Sequence, residues 1–251
     1  MSDARVALRR SLRRWIAPLL ATPLHPQWLI ARKQQERNAW VAGHARGDVL
    51  DVGCGESGIR HSLDVRTNYL GVDYPTTAIH LYGSKPQVFA DAGALPFADS
   101  SFDTVMLLDV LEHVAEPEKA LAEACRVTRS DGQLLLTIPF AYPLHDQPFD
   151  YQRFTRHGHA YRLLAAGYSA HECIEASGAV ESACMTLSLS VGQGMVEAVS
   201  AWNWRLLLLV PGGLLVVASN VTGWLMSWFM PVRDFYPMGY YIRATRAEHQ
   251  R

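Results

Sequence analysis

Two glycines and a series of aspartates set the first chemical expectation. In Val49-Leu50-Asp51-Val52-Gly53-Cys54-Gly55 an apolar run enters a turn in which Gly53 and Gly55 can take positive φ and let a ligand approach the backbone. Asp51, inside that run, can accept hydrogen bonds from an ammonium or hydroxyl group. A second apolar run, Tyr69-Leu70-Gly71-Val72, ends about 20 residues later in Asp73, the place from which a carboxylate reaches ribose hydroxyls. Together these point to a nucleotide cofactor, whereas the glycine turn alone would equally suit a tight turn with no ligand. Asp91 and Asp109 follow two further runs, and His113 comes soon after Asp109. A last stretch, Tyr142 to Thr155, is dense in ionisable and aromatic side chains, with His145, Asp146, Asp150, Tyr151 and Arg153.

The elements that must position these groups read as strands near 48–52, 69–72, 87–90, 102–108 and 133–138, alternating with shorter helical patterns. That alternation predicts a parallel sheet with helices on both faces, an α/β architecture of Rossmann-like type. Ligands of such sheets bind outside the carboxyl ends of the strands, where Asp51, Asp73, Asp91 and Asp109 all fall. Tyr161 to Tyr168 reads as a helix closed by Gly167, followed by a strand around 169–176 and a final one at Met238–Ala244. The organisation expected is a basic N-terminal helical segment (1–46), a cofactor-binding core (47–176) with an acceptor loop (141–155), an apolar helical insertion (177–237), and a last strand and tail (238–251).

The order of motifs from about residue 47 to 140 resembles the class I S-adenosylmethionine-dependent methyltransferases. One departure is that the family's third loop glycine falls at Ser57, with Gly58 one place later. The resemblance implies a seven-stranded sheet whose last strand runs antiparallel between the fifth and sixth. It implies S-adenosylmethionine as cofactor, with Asp51, Gly53, Cys54 and Gly55 at the methionyl end and Asp73 on the ribose. Tyr74 would stack on adenine, Asp91 and the Ala92 backbone would recognise its edge, and Asp109 and His113 would lie near the methyl path. A nicotinamide cofactor is the alternative that the glycine turn and acidic strand end also allow.

The loop after the fifth strand is similar to a His, Pro, Asp-Tyr, Arg-Phe-Thr pattern of bacterial methyltransferases from cell-surface glycan pathways. His145 is the candidate general base, since imidazole titrates near neutrality, and Asp146 or Asp150 would orient it. Arg153 would bind a phosphate or carboxylate of the acceptor, and Tyr151 would pack on a sugar face. The plainer alternative has Asp150 pairing with Arg153 to shape the loop, and Thr155 capping the next helix.

Lys plus Arg (23) nearly balances Asp plus Glu (24), and the basic residues gather at the N-terminus. The acceptor loop lacks the Asn-Pro-Pro-Tyr type tetrapeptide of base-modifying members, so nucleic acid is not an expected partner. Arg5, Arg9, Arg10, Arg13 and Arg14 surround Leu8, Leu12, Trp15 and Ile16, the composition of a basic amphipathic helix that would lie on an anionic membrane or pack as an ordinary solvated helix. Cys54, Cys125, Cys173 and Cys184 show no metal spacing, so reduced thiols and no metal are expected. Leu206 through Val232 holds no charged residue. A break at Pro211-Gly212-Gly213 would leave a helix of 17 residues from Leu214 to Met230, about 26 Å long and short for a full span. It would dip into one leaflet as a hairpin, form a homodimer interface, or be buried in an enlarged core. The expected activity is O-methylation of a glycan or lipid-linked acceptor at the inner membrane face of the cytoplasm. The alternatives are methylation of an apolar small molecule, such as a quinone precursor, or cofactor binding without catalysis.

Overall fold

A computed structural model describes residues 17–79, 83–202 and 204–247. The expected basic helix over residues 5–16 lies outside the described residues. The chain divides into two compact units: residues up to Glu36 with Ser177–Met238, and Arg37–Ala176 with the segment from Gly239 onward.

The second unit is built on one seven-stranded sheet: β1 (Asp48–Val52), β2 (Asn68–Asp73), β3 (Val88–Phe89), β4 (Phe102–Leu108), β5 (Thr128–Pro139), β6 (Tyr168–Glu175) and β7 (Gly239–Arg246). The order is β3-β2-β1-β4-β5-β7-β6, parallel from β3 to β5, with β7 antiparallel to both of its neighbours. The sheet is covered on both faces, which is why its strands carry near-continuous apolar runs. Leu50, Val52, Val105, Leu107, Leu134 and Leu136 face one cluster, and the intervening Val49, Met106 and Leu135 face another.

Helix α1 (Trp28–His44) falls within the N-terminal segment expected to be helical. Its second half sends Val41, with Ala45 just beyond, under Val49, Met106 and Leu135. That packing moves the expected boundary at 46/47 to 36/37. Helix α2 (Pro117–Val127) buries Ala120, Leu121, Ala124 and Val127, one stripe at helical spacing. Helix α3 (Arg156–Ala165) starts at Thr155, whose hydroxyl accepts from the Gly158 N–H at 3.1 Å, and is closed by Gly167 at φ 98°. β6 and β7 meet at their ends, where the Ala176 N–H donates to the Gly239 carbonyl at 2.9 Å.

In the other unit, α4 (Ala179–Ala201) and α5 (Leu209–Phe229) form an antiparallel hairpin. Met195 lies beside Gly212, the Ser188 hydroxyl donates to Asn220 Oδ1 at 2.9 Å, and Cys184 lies beside Gly223. The expected break at Pro211-Gly212-Gly213 is absent. Pro211 sits in the first turn of α5, where its missing N–H has no partner to lose, so the helix runs on for 21 residues, about 31 Å. With the turn before it, Trp204–Phe229 is long and apolar enough to cross a membrane by length and composition. Two of the hairpin's polar side chains are buried and satisfied inside it. Asn220 is fully buried and donates to the Pro23 and His25 carbonyls at 2.8 and 3.0 Å, and the Ser219 hydroxyl donates to the Cys184 carbonyl. Leu207, Val210, Leu214, Trp228 and Phe229 are exposed.

Candidate functional site

A cavity of about 290 Å³ opens at the carboxyl ends of β1, β2 and β4, at the low end of the range for small-molecule sites. Nine of the expected residues line it: Gly53, Asp73, Tyr74, Asp91, Ala92, Asp109, His113, Asp146 and Tyr151. The turn after β1 is built for close approach. Gly53 has φ 76°, and a Cβ there would meet Val110 Cγ2 at 2.5 Å. Ser57 takes the left-handed conformation that glycine would supply in the family pattern, at φ 56°.

Asp73 is buried and anchored. Its Oδ1 accepts from the Tyr74 N–H at 2.7 Å and its Oδ2 from the Gly55 N–H at 3.0 Å, which leaves carboxylate lone pairs for ribose hydroxyls. Burial raises its pKa. Asp51 is also buried and accepts from the Tyr69 hydroxyl at 2.6 Å. Burial pushes its carboxyl up to about 6, against the lowering effect of the Tyr69 hydrogen bond and the Arg37 charge.

Cys54 is engaged within the turn itself. Its N–H donates to Val72, its carbonyl accepts from Ser57, and its thiol packs where a Gly71 Cβ would fall, so the residue holds the turn together. Burial raises the thiol to about 11, and all four cysteines are free.

On the acceptor side, the loop-shaping alternative is the one found. Arg153 forks onto Asp150 at 2.5 and 2.8 Å, and Thr155 caps α3. Burial would raise the Asp150 carboxyl, but the Arg153 fork and the His145 N–H hold it down at about 2. Asp150 and Arg153 therefore face each other. Asp146, with φ 47°, stands on the cavity wall, and it is Asp150 Oδ2 that approaches His145 Nδ1, at 3.3 Å. His145 is set beside His113, with ring centroids 4.8 Å apart.

Three groups escaped the sequence reading. Arg37 on α1 ion-pairs with Asp109, whose other oxygen accepts from Thr137 Oγ1 at 2.9 Å. Tyr69 holds Asp51. Glu112, fully buried in the short turn Leu111–His113, makes no hydrogen bond through either carboxylate oxygen. Its one legible signal was a glutamate inside the apolar run Val110–Val114, beside a histidine.

Residues 50–136 match the family model of the methyltransferase domain. This core is a class I S-adenosylmethionine-dependent methyltransferase domain. The chain is 32% identical over 120 residues to a probable S-adenosylmethionine-dependent methyltransferase of Mycolicibacterium smegmatis, covering 41% of this chain and 47% of that one. It is 50% identical over 56 residues to a demethylmenaquinone methyltransferase of Renibacterium salmoninarum, covering 22% and 23%. The match thus spans less than half the length of these relatives. A solved S-adenosylmethionine-dependent methyltransferase of Archaeoglobus fulgidus shares the fold, with a TM-score of 0.53 at 16% identity over 87% of this chain and 94% of that one. The methyltransferase domain takes S-adenosylmethionine as its cofactor, and the cavity fits it in kind. Gly53 clears the backbone, Asp73 offers a carboxylate to a ribose, and the half-exposed Tyr74 offers a ring face beside Asp91 and Ala92.

Proposed function

We propose that the protein is an O-methyltransferase acting on a glycan or lipid-linked acceptor at a membrane surface. The observation that carries the membrane half is the hairpin of α4 and α5, which exposes large apolar side chains while burying several serines and an asparagine. Its buried face holds Ser182, Ser188, Gly192, Ser219, Asn220 and Gly223 beside Met185 and Val216. Its exposed positions include Leu207, Val210, Leu214, Trp228 and Phe229, alongside Gln193, Glu197 and Thr222. Small residues bring helix backbones together, and hydrogen bonds between helices satisfy polar groups that hydrocarbon cannot. The exposed apolar side chains, in contact with water, would be a patch of the kind that marks an interaction surface.

When bound, S-adenosylmethionine supplies a methyl group activated by its sulfonium, and the chain's task is alignment and proton handling. Asp51, Gly53, Gly55 and Asp73 would hold the cofactor, with Tyr74, Asp91 and Ala92 around its adenine. Asp109 and His113 would flank the methyl path, and the acceptor hydroxyl would lose its proton beside His113 and His145. A second reading, methylation of a quinone precursor, is favoured by the local similarity to the demethylmenaquinone methyltransferase.

The test incubates the protein with methyl-tritiated S-adenosylmethionine and a bacterial membrane extract. Label in the lipid-linked glycan fraction is the expected result, together with recovery of the protein on vesicles. Replacing Trp224, Trp228 and Phe229 by serine should abolish both. Label confined to neutral quinone-type lipids would overturn the first reading in favour of the second.

A further inference from the structure

We propose that Glu112, His113 and His145 form a binding site for one divalent cation of the zinc or manganese type, adjoining the cofactor cavity. One carboxylate oxygen and two imidazole nitrogens lie within 4.8 Å of one another. His113 Nε2 stands 3.8 Å and His145 Nε2 3.9 Å from Glu112 Oε1. These separations are too long for hydrogen bonds and close to those of neighbouring ligands around an ion, roughly 3–4 Å for metal–ligand bonds of about 2.0–2.2 Å.

The far side of each ring is already committed. His113 Nδ1 meets the Phe149 carbonyl at 2.9 Å, and His145 Nδ1 meets the Pro143 carbonyl at 3.2 Å with the Asp150 carboxylate beside it. Those partners only accept, so each Nδ1 carries the proton and each Nε2 turns its lone pair toward Glu112. This is how ligating imidazoles are oriented around a metal.

Glu112 supplies the independent observation. It is fully buried, with both oxygens lacking a hydrogen bond, in a protein interior where an unpartnered carboxylate is costly. The Arg153 guanidinium is spent on Asp150. A cation between the three donors would provide what the carboxylate lacks. The turn is braced to hold that arrangement. Gln152 Nε2 donates to the Leu111 and Val114 carbonyls at 2.9 and 2.6 Å, and the Tyr151 N–H donates to the Glu112 carbonyl at 2.8 Å.

Two imidazoles and one carboxylate leave coordination positions open. His113 also lines the cavity, so the site adjoins it. On the O-methyltransferase reading, on which this part rests, the open positions would take an acceptor bearing two adjacent oxygens. His145 then acts as a ligand, and the ion lowers the pKa of the acceptor hydroxyl.

The test is isothermal calorimetry of tag-free, chelator-stripped full-length protein with Mn²⁺, Zn²⁺ and Mg²⁺, alongside Glu112→Gln and His145→Ala. One equivalent of Mn²⁺ or Zn²⁺ should bind, with Mg²⁺ weaker, and both variants should lose at least tenfold in affinity. Melting curves should show a metal-induced rise in wild type that the variants lack. S-adenosylhomocysteine titrations of the metal-free variants check that they are folded, and in wild type they test the methyltransferase reading separately. Absence of stoichiometric binding in wild type, or equal binding in both folded variants, would overturn the proposal.

Discussion

Arg37 and Asp109, 72 positions apart in the chain, close an ion pair at the rim of the cofactor cavity. Asp109 is a left-handed residue at φ 55°, held from its other side by Thr137, so its carboxylate is fixed by two different elements. The aspartate is partly exposed, which limits the worth of the pair. Arg37→Ala should therefore cost about 0.5–1 kcal/mol in urea unfolding. It should also weaken S-adenosylhomocysteine binding several-fold in calorimetry, and unchanged affinity would remove Arg37 from the site.

Asp51 predicts an unusual pH dependence. Its folded pKa, about 6, lies above the ordinary carboxylate value of 3.8, so the folded state binds the proton more tightly. Stability from this group is full below pH 4 and is lost as pH rises through 6. Asp51→Asn, which keeps the Tyr69 hydroxyl's acceptor, should stabilise the ligand-free protein at pH 8 by up to about 3 kcal/mol, the equivalent of the shift. At pH 4 it should do almost nothing. An identical gain at both pH values would refute this account of the buried carboxylate, and cofactor affinity should fall in either case.

The two loop glycines should respond differently to alanine. At Gly53 the added Cβ meets Val110 as well as an unfavourable φ, whereas at Gly55, φ 51°, nothing lies within 4 Å. Gly55→Ala should cost about 1–2 kcal/mol, the left-handed penalty alone. Gly53→Ala should cost 1–3 kcal/mol more through the forced shift of Val110. Equal unfolding midpoints would show that Val110 yields freely.

The Asp150–Arg153 pair makes a prediction of opposite sign to Asp51. The carboxyl is held at about 2, below its ordinary value, so it stabilises above pH 4 and that contribution disappears as pH falls toward 2. Arg153→Ala would leave a buried carboxylate without its partner and should cost about 3–5 kcal/mol at pH 7. Acid titration followed by circular dichroism should show the variant's deficit shrinking toward pH 2. A constant deficit would mean the loss is one of packing.

The sheet was legible because local patterns dictate it. β1, β2, β4 and β6 are short runs with an acid or a glycine at or just past their ends, and the tail's strand pattern fixes β7. Asp73, Tyr74, Asp91 and Asp109 were legible for the same reason, as strand-end residues that share one edge. Arg37 was not, since nothing in an α1 arginine announces an aspartate on β4's exit. Glu112 was hidden because burial is a property of the folded turn, and a glutamate in a helical-looking stretch reads as solvated. The proline in α5 misled for a local reason: a Pro-Gly-Gly run signals a break in most contexts, and only its place in the first turn makes it harmless.

The hydrogen bond between Ala176 and Gly239 means that the chain leaves the sheet and returns to it at a single point. Everything from Ser177 to Met238 is, topologically, one hairpin loop between neighbouring strands. Lengthening such a loop is cheap, about 0.6 kcal/mol per doubling. A lineage could therefore trade this excursion for a tight turn, or for a different excursion, without renegotiating the register of β6 and β7. The hairpin and the sheet would then be free to evolve as separate parts.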